Sequence, residues 1–298
     1  MDIQHVTVFG AGVLGSQIAF QTAFHQFNVT ICDISNDQLH KVSHRFMELG
    51  DLYKRDLGAS QAAIDATLQR LTCSSEMAEA VRHADLAIEA IPEDVQQKKE
   101  FYLELGQVAP AKTIFATNSS TLLPSQFAKE TGRPDCFLAL HFANEIWKNN
   151  TAEIMGHAGT DPGTFNAVVD FAKAIGMLAI PIHKEQPGYV LNTLLMPFLR
   201  AALELYLKGI ADPETIDKTW MKATGAPKGP FAIYDMVGLT TAYNITKLNA
   251  DKTGDRILQR AAQTLKERFI DQGKLGVLTG EGFYTYPNPA YQQPDFLH

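Results

Sequence analysis

The chain has 298 residues, which is enough for about two domains. Hydrophobic residues make up 45% and charged residues 20%, a mixture that is typical of a soluble protein with a sizeable core. The net charge of -7 and the lack of a long basic run argue against nucleic acid and anionic membranes as partners.

The cysteines and the first residues predict a cytoplasmic protein without a metal site. Cys32, Cys73 and Cys136 are far apart, and no pair has the spacing of a metal site or a redox motif. This pattern favours a reducing compartment. The start, MDIQHVTVFGAG, contains the acidic Asp2 and no apolar run typical of a signal peptide. The stretch VTVFGAGVLG is too short and too rich in glycine to cross a bilayer.

The first forty residues have the pattern of a nucleotide-binding unit. HVTVFG (His5–Gly10) predicts a buried parallel strand. It leads directly into GAGVLGSQIAFQTAFHQF, which fits G-x-G-x-x-G and then continues as a helix. A second strand, VTICDIS (Val29–Ser35), follows. This order indicates a dinucleotide-binding site, and the alternative is a glycine turn in an ordinary βαβ unit.

Each residue of the glycine loop has its own expected role. Gly10 permits the tight turn, Gly12 lets a pyrophosphate approach the backbone, and Gly15 lets the helix pack close to the sheet. The pattern looks helical from Gly15 on, and the N-terminus of this helix turns free N–H groups toward the phosphates.

Asp33 predicts which cofactor binds. It lies about 20 residues past the first glycine, where a carboxylate accepts hydrogen bonds from the adenosine ribose hydroxyls. Its charge repels a 2′-phosphate, and Ile34, Ser35 and Asn36 supply no arginine for one. NAD is therefore favoured over NADP.

The segment from about 36 to 71 predicts a helical insertion. Its apolar residues recur every three or four positions, and Gly58-Ala59-Ser60 divides it into two helices. This helical pair covers the cofactor cleft, holds part of a long substrate, or is a solvated hairpin.

Three later strands end in polar residues. DLAIEAIPED has Glu93 at its carboxyl end, followed by a helix that carries Lys98 one turn in. TIFATNSSTL ends near Ser120, whose alternative role is to cap a helix. CFLALHF ends at His141. Ligands of open α/β sheets bind outside the carboxyl ends of strands, so these side chains and Asp33 are expected to share one edge.

Glu153 is the expected partner of His141. A lone histidine beside apolar residues is more often structural than catalytic. TAEIMGH, however, reads as the start of another strand, and an adjacent returning strand places Glu153 near the imidazole. There the carboxylate fixes one tautomer and stabilises the imidazolium.

Several motifs resemble those of the 3-hydroxyacyl-CoA dehydrogenase family over nearly the whole chain. They are GAGVLG, IEAIPED, ATNSSTL, LHFAN, PGYVLNTLLMPFLRAA, GPFAIYDMVGL and GKLGVLTGEGFYTY. The resemblance implies an α/β fold, with an N-terminal Rossmann-like, doubly wound sheet domain followed by an all-α C-terminal domain. It also implies a homodimer formed mainly through the C-terminal domain.

The resemblance also assigns site residues. It implies catalytic or substrate-binding roles for His141, Glu153, Ser120 and Asn192. The cofactor contacts that it implies are Gly10, Gly12, Val13, Leu14, Gly15, Asp33, Glu93, Lys98, Ser120 and Asn144. Without the family, Lys98 reads as a solvated helix lysine.

Pro187-Gly188 is a natural break, and we place the domain boundary there. Residues 1–186 are the predicted NAD-binding domain, and residues 187–298 are the predicted helical domain for substrate and dimerisation. GYVLNTLLMPFLRAALELYLKG opens the second domain and is apolar almost all round, so we expect this helix to be buried in a core or an interface. Pro197 predicts a kink in it.

The chain departs from the family at the expected substrate wall. The family usually reads H-F-F-N-P, whereas this chain has Ala143 in place of the second phenylalanine and Glu145 in place of the proline. IWKNN then replaces a typically apolar or proline-containing run, and Thr193 stands where arginine is common. The spacing of His141 and Glu153 is kept.

The resulting hypothesis is reversible, NAD-dependent oxidation of a short-chain 3-hydroxyacyl-CoA, such as 3-hydroxybutyryl-CoA, to the 3-ketoacyl-CoA. One alternative keeps the enzyme class and changes the substrate to a free hydroxy acid of the gulonate or carnitine type. An alternative of another class is an NAD-binding protein without catalysis.

Overall fold

A computed structural model describes residues 3–298, so Asp2 lies outside the described residues. The chain divides into two compact units, one ending at Val190 and the other comprising Leu191–His298. Between residues 3 and 298, no helix has both the length and the apolar character that crossing a membrane requires.

The first unit is built on one sheet, whose strands are β1 (His5–Phe9), β2 (Asn28–Cys32), β3 (Leu71–Ser74), β4 (Leu86–Glu89), β5 (Ile114–Thr117), β6 (Phe137–Phe142), β7 (Thr151–Met155) and β8 (Leu178–Ile182). Their spatial order is β3-β2-β1-β4-β5-β6-β7-β8. Neighbours are parallel except for the antiparallel pair β6–β7. The order reverses direction at β1, which confirms the predicted doubly wound sheet.

Helices surround this sheet, namely α1 (Val13–Phe24), α2 (Asn36–Leu57), α3 (Gln61–Leu68), α4 (Met77–Val81), α5 (Val95–Val108) and α6 (Pro162–Ala174). The central strands β4, β5 and β6 are buried along their whole length and are mostly apolar, because both faces of the sheet are covered. Ser35, just before the segment 36–71, caps α2, and Ser60 caps α3. Gly58 ends α2 in the left-handed conformation.

Strand register brings the functional residues to one edge. Phe9 on β1 pairs with Glu89 on β4, and Glu89 pairs with Thr117 on β5. Thr117 in turn pairs with Ala139 on β6. These parallel strands therefore end level with one another, and His141 lies two residues beyond Ala139 at the same edge.

The second unit is helical, with α7 (Leu191–Leu207), α8 (Pro213–Thr224), α9 (Pro230–Val237), α10 (Leu239–Thr253) and α11 (Arg256–Arg268). Its apolar core forms between these helices and the aromatic residues near the end of the chain. This confirms the expected helical second domain.

The first helix of this unit, α7, is less buried than its composition suggests. Leu199, Ala202 and Leu203 are buried, whereas Leu194 is 69% exposed and Leu205 is 42% exposed. The core of a small unit covers only one side of a peripheral helix. The expected burial is therefore found on one face of α7, and the other face is exposed in the single chain.

We predict that Asp235→Asn destabilises the second unit. Asp235 accepts hydrogen bonds from the backbone N–H groups of Phe283 (2.9 Å) and Tyr284 (2.8 Å) and from the Tyr286 hydroxyl (3.2 Å). An asparagine would turn an NH₂ group toward these donors, so we expect a loss of about 2 kcal/mol in the free energy of unfolding, measured with urea. The exposed Asp251→Asn is the control, and equal stability of both variants would contradict the prediction.

Candidate active site

The glycine loop leaves β1 in a conformation that only glycine fits. Gly10 has φ +103°, and a Cβ there would lie 2.4 Å from the carbonyl oxygen of Ala90. A Cβ on Gly15 would lie 1.9 Å from the carbonyl oxygen of Gly10, whereas a Cβ on Gly12 would meet no atom within 4 Å. The space beside Gly12 is thus open to a ligand.

Two cavities adjoin this loop. The smaller, of about 360 Å³, is lined by Gly12, Val13, Leu14, Gly15, Glu89, Ala90, Ile91, Glu93, Lys98, Asn118, Ser119, Ser120 and Thr121. The larger, of about 1000 Å³, includes Gly10, Asp33, Ile34, Arg45, Met77 and Phe101 in its lining. Gly12 is the N-cap of α1 and has no side chain to cap it, so the N–H groups of the first turn are available to an anion.

Asp33 is held in place beside the larger cavity. One carboxylate oxygen accepts from the backbone N–H of Ala11 (2.8 Å), and the other accepts from that of Ser35 (2.8 Å). A carboxylate has about four acceptor positions, so two of them remain for ligand hydroxyls.

Arg45 is a residue of this cavity that sequence reasoning missed. It reaches from α2 to donate hydrogen bonds to the Ala11 carbonyl and to the Gln38 side chain (3.1 Å). The three residues after Asp33 include no arginine, whereas Arg45 reaches the same cavity from α2. Gln38 and Arg45 are seven residues, or about two turns, apart on α2. This spacing, which places both on one face of the helix, is the signal in the sequence that could have indicated Arg45.

Lys98 is buried in a network of carboxylates beneath the smaller cavity. Its side chain is 1% exposed, with Nζ 2.5 Å from Glu89 and 3.4 Å from Glu93. Glu89 also accepts hydrogen bonds from Tyr102 (3.1 Å) and Thr117 (2.8 Å). Lys98 is therefore not a solvated helix lysine, and Glu89, to which the sequence analysis gave no role, is its closest partner.

Glu93 connects this network to the loop after β5. It accepts hydrogen bonds from the hydroxyls of Ser119 (2.5 Å) and Thr121 (2.8 Å). Partial burial alone would raise the pKa of Glu93, but these hydrogen bonds and the charge of Lys98 outweigh it and hold the pKa below its ordinary value. An ionised Glu93 thus fixes the loop that carries Ser120.

His141 and Glu153 face each other across β6 and β7. The antiparallel register pairs the two residues directly, and the His141 Nδ1 lies 2.9 Å from a Glu153 oxygen. The other ring nitrogen, Nε2, lies 3.1 Å from the Ser120 hydroxyl. Because an ionised carboxylate only accepts hydrogen bonds, Nδ1 carries the hydrogen, and the Nε2 lone pair faces Ser120. The imidazole is oriented as a base toward the side of the smaller cavity.

Tyr189 is a further residue of the site that sequence reasoning missed. Its ring stacks on the His141 imidazole, with ring centroids 4.7 Å apart. It lies three residues before Asn192 in the motif PGYVLN, but nothing in that motif indicates a contact with the histidine.

Asn144 and Asn192 are not brought to these cavities by the described contacts. Asn144 is exposed and does not line either cavity, and its backbone carbonyl accepts a hydrogen bond from the Asn149 side chain (2.8 Å). Asn192 is half-buried on α7, in the second unit. Both assignments stay predictions.

The segment after His141 adopts a turn that proline cannot form. Glu145 has φ +57°, whereas the ring of proline locks φ near −65°. The N–H of Glu145 donates to the Gln17 side chain (2.8 Å), and the Trp147 indole donates to Asp56 (2.9 Å). Lys148 is 3.0 Å from the same carboxylate. The departure from H-F-F-N-P is therefore a different backbone path, attached to α1 and α2.

Comparison with known proteins identifies the family. Residues 5–186 match the model of the 3-hydroxyacyl-CoA dehydrogenase NAD binding domain, and residues 188–286 match that of the family's C-terminal domain. The chain belongs to the 3-hydroxyacyl-CoA dehydrogenase family. It is 34% identical over 289 residues to the human mitochondrial hydroxyacyl-coenzyme A dehydrogenase, an alignment that covers 95% of this chain and 91% of the human one. The resemblance and the oxidoreductase class predicted from the motifs are thereby confirmed.

Two solved structures share the fold over 96% of this chain and 100% of theirs. A diketoreductase, described as a catalyst acting on dicarbonyl compounds, is 56% identical with a TM-score of 0.91. The (S)-3-hydroxybutyryl-CoA dehydrogenase of Ralstonia eutropha is 28% identical with a TM-score of 0.83.

NAD is the cofactor of this dehydrogenase family, as predicted, because the first unit is its NAD-binding domain. The residues present fit that cofactor. Gly12 leaves open space at the uncapped start of α1, and Asp33 is fixed with acceptor positions to spare. A pyrophosphate and a ribose require these two features.

We predict that alanine weakens NADH binding at one glycine of the loop and lowers stability at another. Gly12→Ala places a methyl group in open space, so we expect the fold to be kept and NADH binding to weaken by about tenfold or more. Gly15→Ala would collide with the Gly10 carbonyl, so we expect a lower melting temperature. NADH fluorescence titration and thermal unfolding measure the two effects. Unchanged NADH affinity in Gly12→Ala would contradict the assignment of this loop.

Proposed function

We propose that this dehydrogenase oxidises a short-chain 3-hydroxyacyl-CoA, such as 3-hydroxybutyryl-CoA, to the 3-ketoacyl-CoA in a reversible reaction with NAD. The observation that carries the proposal is the hydrogen-bonded row of Glu153, His141 and Ser120 at the sheet edge. The row lies beside the cavity that the glycine loop lines.

In the oxidative direction, His141 Nε2 accepts the proton of the substrate's 3-hydroxyl group. Bound NAD would accept the hydride that leaves C3, the carbon that carries this hydroxyl group. Glu153 keeps the proton on Nδ1 beforehand and stabilises the imidazolium afterwards. The Ser120 hydroxyl, 3.1 Å from Nε2, holds the reacting oxygen near the base.

In the reverse direction, we assign Ser120 and Asn192 to polarising the 3-keto oxygen while His141 returns the proton. Asn192 is assigned on the family resemblance, as are the cofactor contacts of Lys98 and Asn144. Asn192 itself belongs to the second unit.

The first test replaces the base. We expect His141→Gln to lower kcat by about 10²- to 10⁴-fold, the typical contribution of a positioned general base, with NADH affinity unchanged. His183→Gln, at an exposed histidine of the same unit, is the matched control and keeps full activity. Near-full turnover of His141→Gln would remove His141 from the mechanism.

A second candidate keeps the chemistry and omits coenzyme A. It is favoured by the 56% identity to the diketoreductase, against 28% to the hydroxybutyryl-CoA enzyme. The altered segment after His141 supports it, because Glu145 and Lys148 add charges where a small, polar substrate would contact the wall. Under this candidate the substrate is a free hydroxy acid or a dicarbonyl compound.

A substrate panel separates the candidates. We expect kcat/KM for 3-hydroxybutyryl-CoA to exceed that for free 3-hydroxybutyrate, carnitine and gulonate by about 100-fold or more, since binding energy from the non-reacting part of a substrate lowers the barrier. Equal or higher kcat/KM for a free hydroxy acid, or for NADH-dependent reduction of a simple dicarbonyl, would favour the second candidate. NADH binding without turnover on any member would leave a non-catalytic NAD-binding protein.

The proposed partner is a second copy of the chain, joined through the helical unit. Leu194, Ala201 and Leu205 form an exposed apolar stripe along α7. We expect light scattering to give twice the chain mass of 32.9 kDa. The double change Leu194→Asp and Leu205→Asp should give monomers, whereas Leu248→Asp, exposed on α10, should not. A monomeric wild-type protein would contradict this proposal.

We further propose a cytoplasmic location. Among the described residues, the three cysteines form no disulfide, as expected in a reducing compartment. Fractionation of the source cells tests it, and recovery in an organelle, as the name of the human relative implies for that protein, would contradict it.

A further inference from the structure

Tyr189 covers one face of the His141 ring and also contacts the loop that carries Ser120. It is 1% exposed, and its ring lies 20° from parallel to the imidazole at a centroid separation of 4.7 Å. Its hydroxyl donates a hydrogen bond of 2.7 Å to the backbone carbonyl of Ser119. Ser119 precedes Ser120, so one tyrosine contacts the base and the loop that presents the serine.

The next residue extends this arrangement to the carboxylate. The backbone N–H of Val190 donates to Glu153 Oε1 at 2.9 Å, while Glu153 Oε2 faces the His141 Nδ1 at 2.9 Å. Two consecutive residues therefore hold the imidazole plane, the Ser119 peptide and the carboxylate.

The backbone of Tyr189 has an unfavourable conformation, which the contacts of its side chain hold in place. Its φ is +53°, in the left-handed region that is disfavoured for residues with a Cβ. This conformation persists because the ring stack and the hydroxyl bond define where the side chain lies.

We propose that Tyr189 is a positioning residue that sets the plane of the His141 imidazole and favours its protonated form. An aromatic face attracts a cation, so the stack stabilises the imidazolium that forms during oxidation more than the neutral ring. The proposal rests on the proposed role of His141.

The ionisable groups next to His141 determine how its environment affects the pH dependence of kcat/KM. The ionisable side chains placed against its ring are Glu153 from β7 and Tyr189 from the segment before α7. The loop after β5 contributes the uncharged Ser120 hydroxyl. Burial raises the pKa of Tyr189 above its ordinary value, so the phenol stays neutral throughout the range in which a histidine titrates.

The test compares Tyr189→Leu, which removes the ring, with Tyr189→Phe, which keeps the ring and removes the hydroxyl. We expect the leucine variant to lose about 10- to 100-fold in kcat, since small misplacement of a reacting group has this effect, with NADH affinity unchanged. The acid limb of its kcat/KM profile should move to lower pH. The phenylalanine variant should stay within about threefold of wild type with an unmoved limb.

Two results would overturn the proposal. One is a leucine variant that loses only melting temperature, with kcat and the pH profile unchanged. The other is a phenylalanine variant as impaired as the leucine variant, which would give the role to the hydroxyl. If the leucine variant does not fold, Tyr189→Met takes its place with the same expectations.

Histidine NMR separates this proposal from the proposed function. The His141 ring signals, assigned by their loss in His141→Gln, should be shielded by the stacked ring in wild type and in Tyr189→Phe. They should move downfield in Tyr189→Leu, whether or not any substrate turns over. An unmoved signal would overturn the role of Tyr189 alone. Absence of turnover in wild type, with the signal moving as expected, would overturn only the proposed function.

Discussion

The antiparallel pairing of β6 with β7 is the constraint on which the site geometry depends. The other neighbouring strands of the sheet run parallel, and this one reversal places Glu153 directly opposite His141. Because side chains alternate between the two faces of a strand, a slip of one residue would turn Glu153 away from the imidazole. The buried pair Leu140 and Ile154 beside them resists such a slip.

The parts of the site that follow from strand ends were predictable from the sequence. Parallel strands end at one edge, so recognising each strand was enough to place Asp33, Glu93, Ser120 and His141 along that edge. The glycine loop was equally predictable, since its spacing reflects the close packing of Gly10 and Gly15. These features are encoded within short stretches of the chain.

The missed features depend on distant parts of the chain. Glu89 lies in an apolar strand, and only the fold shows that Lys98 and Tyr102 surround it. Arg45 and the exposed face of α7 depend in the same way on how helices pack. For Glu145, the sequence showed that a proline was missing, but the left-handed turn that explains the change is visible only in the backbone.

The residues that hold the base also form the exit from the first unit. Tyr189 and Val190 contact the pair of His141 and Glu153, and the second unit begins at the next residue. Asn192, the predicted ligand of the reacting oxygen, follows only two residues after Val190. The hydrogen bond to Glu153 therefore fixes the last residue of the first unit. A change in backbone direction here would disturb the stack on His141 and the hydrogen bond to Glu153 together, so a single local conformation sets both contacts.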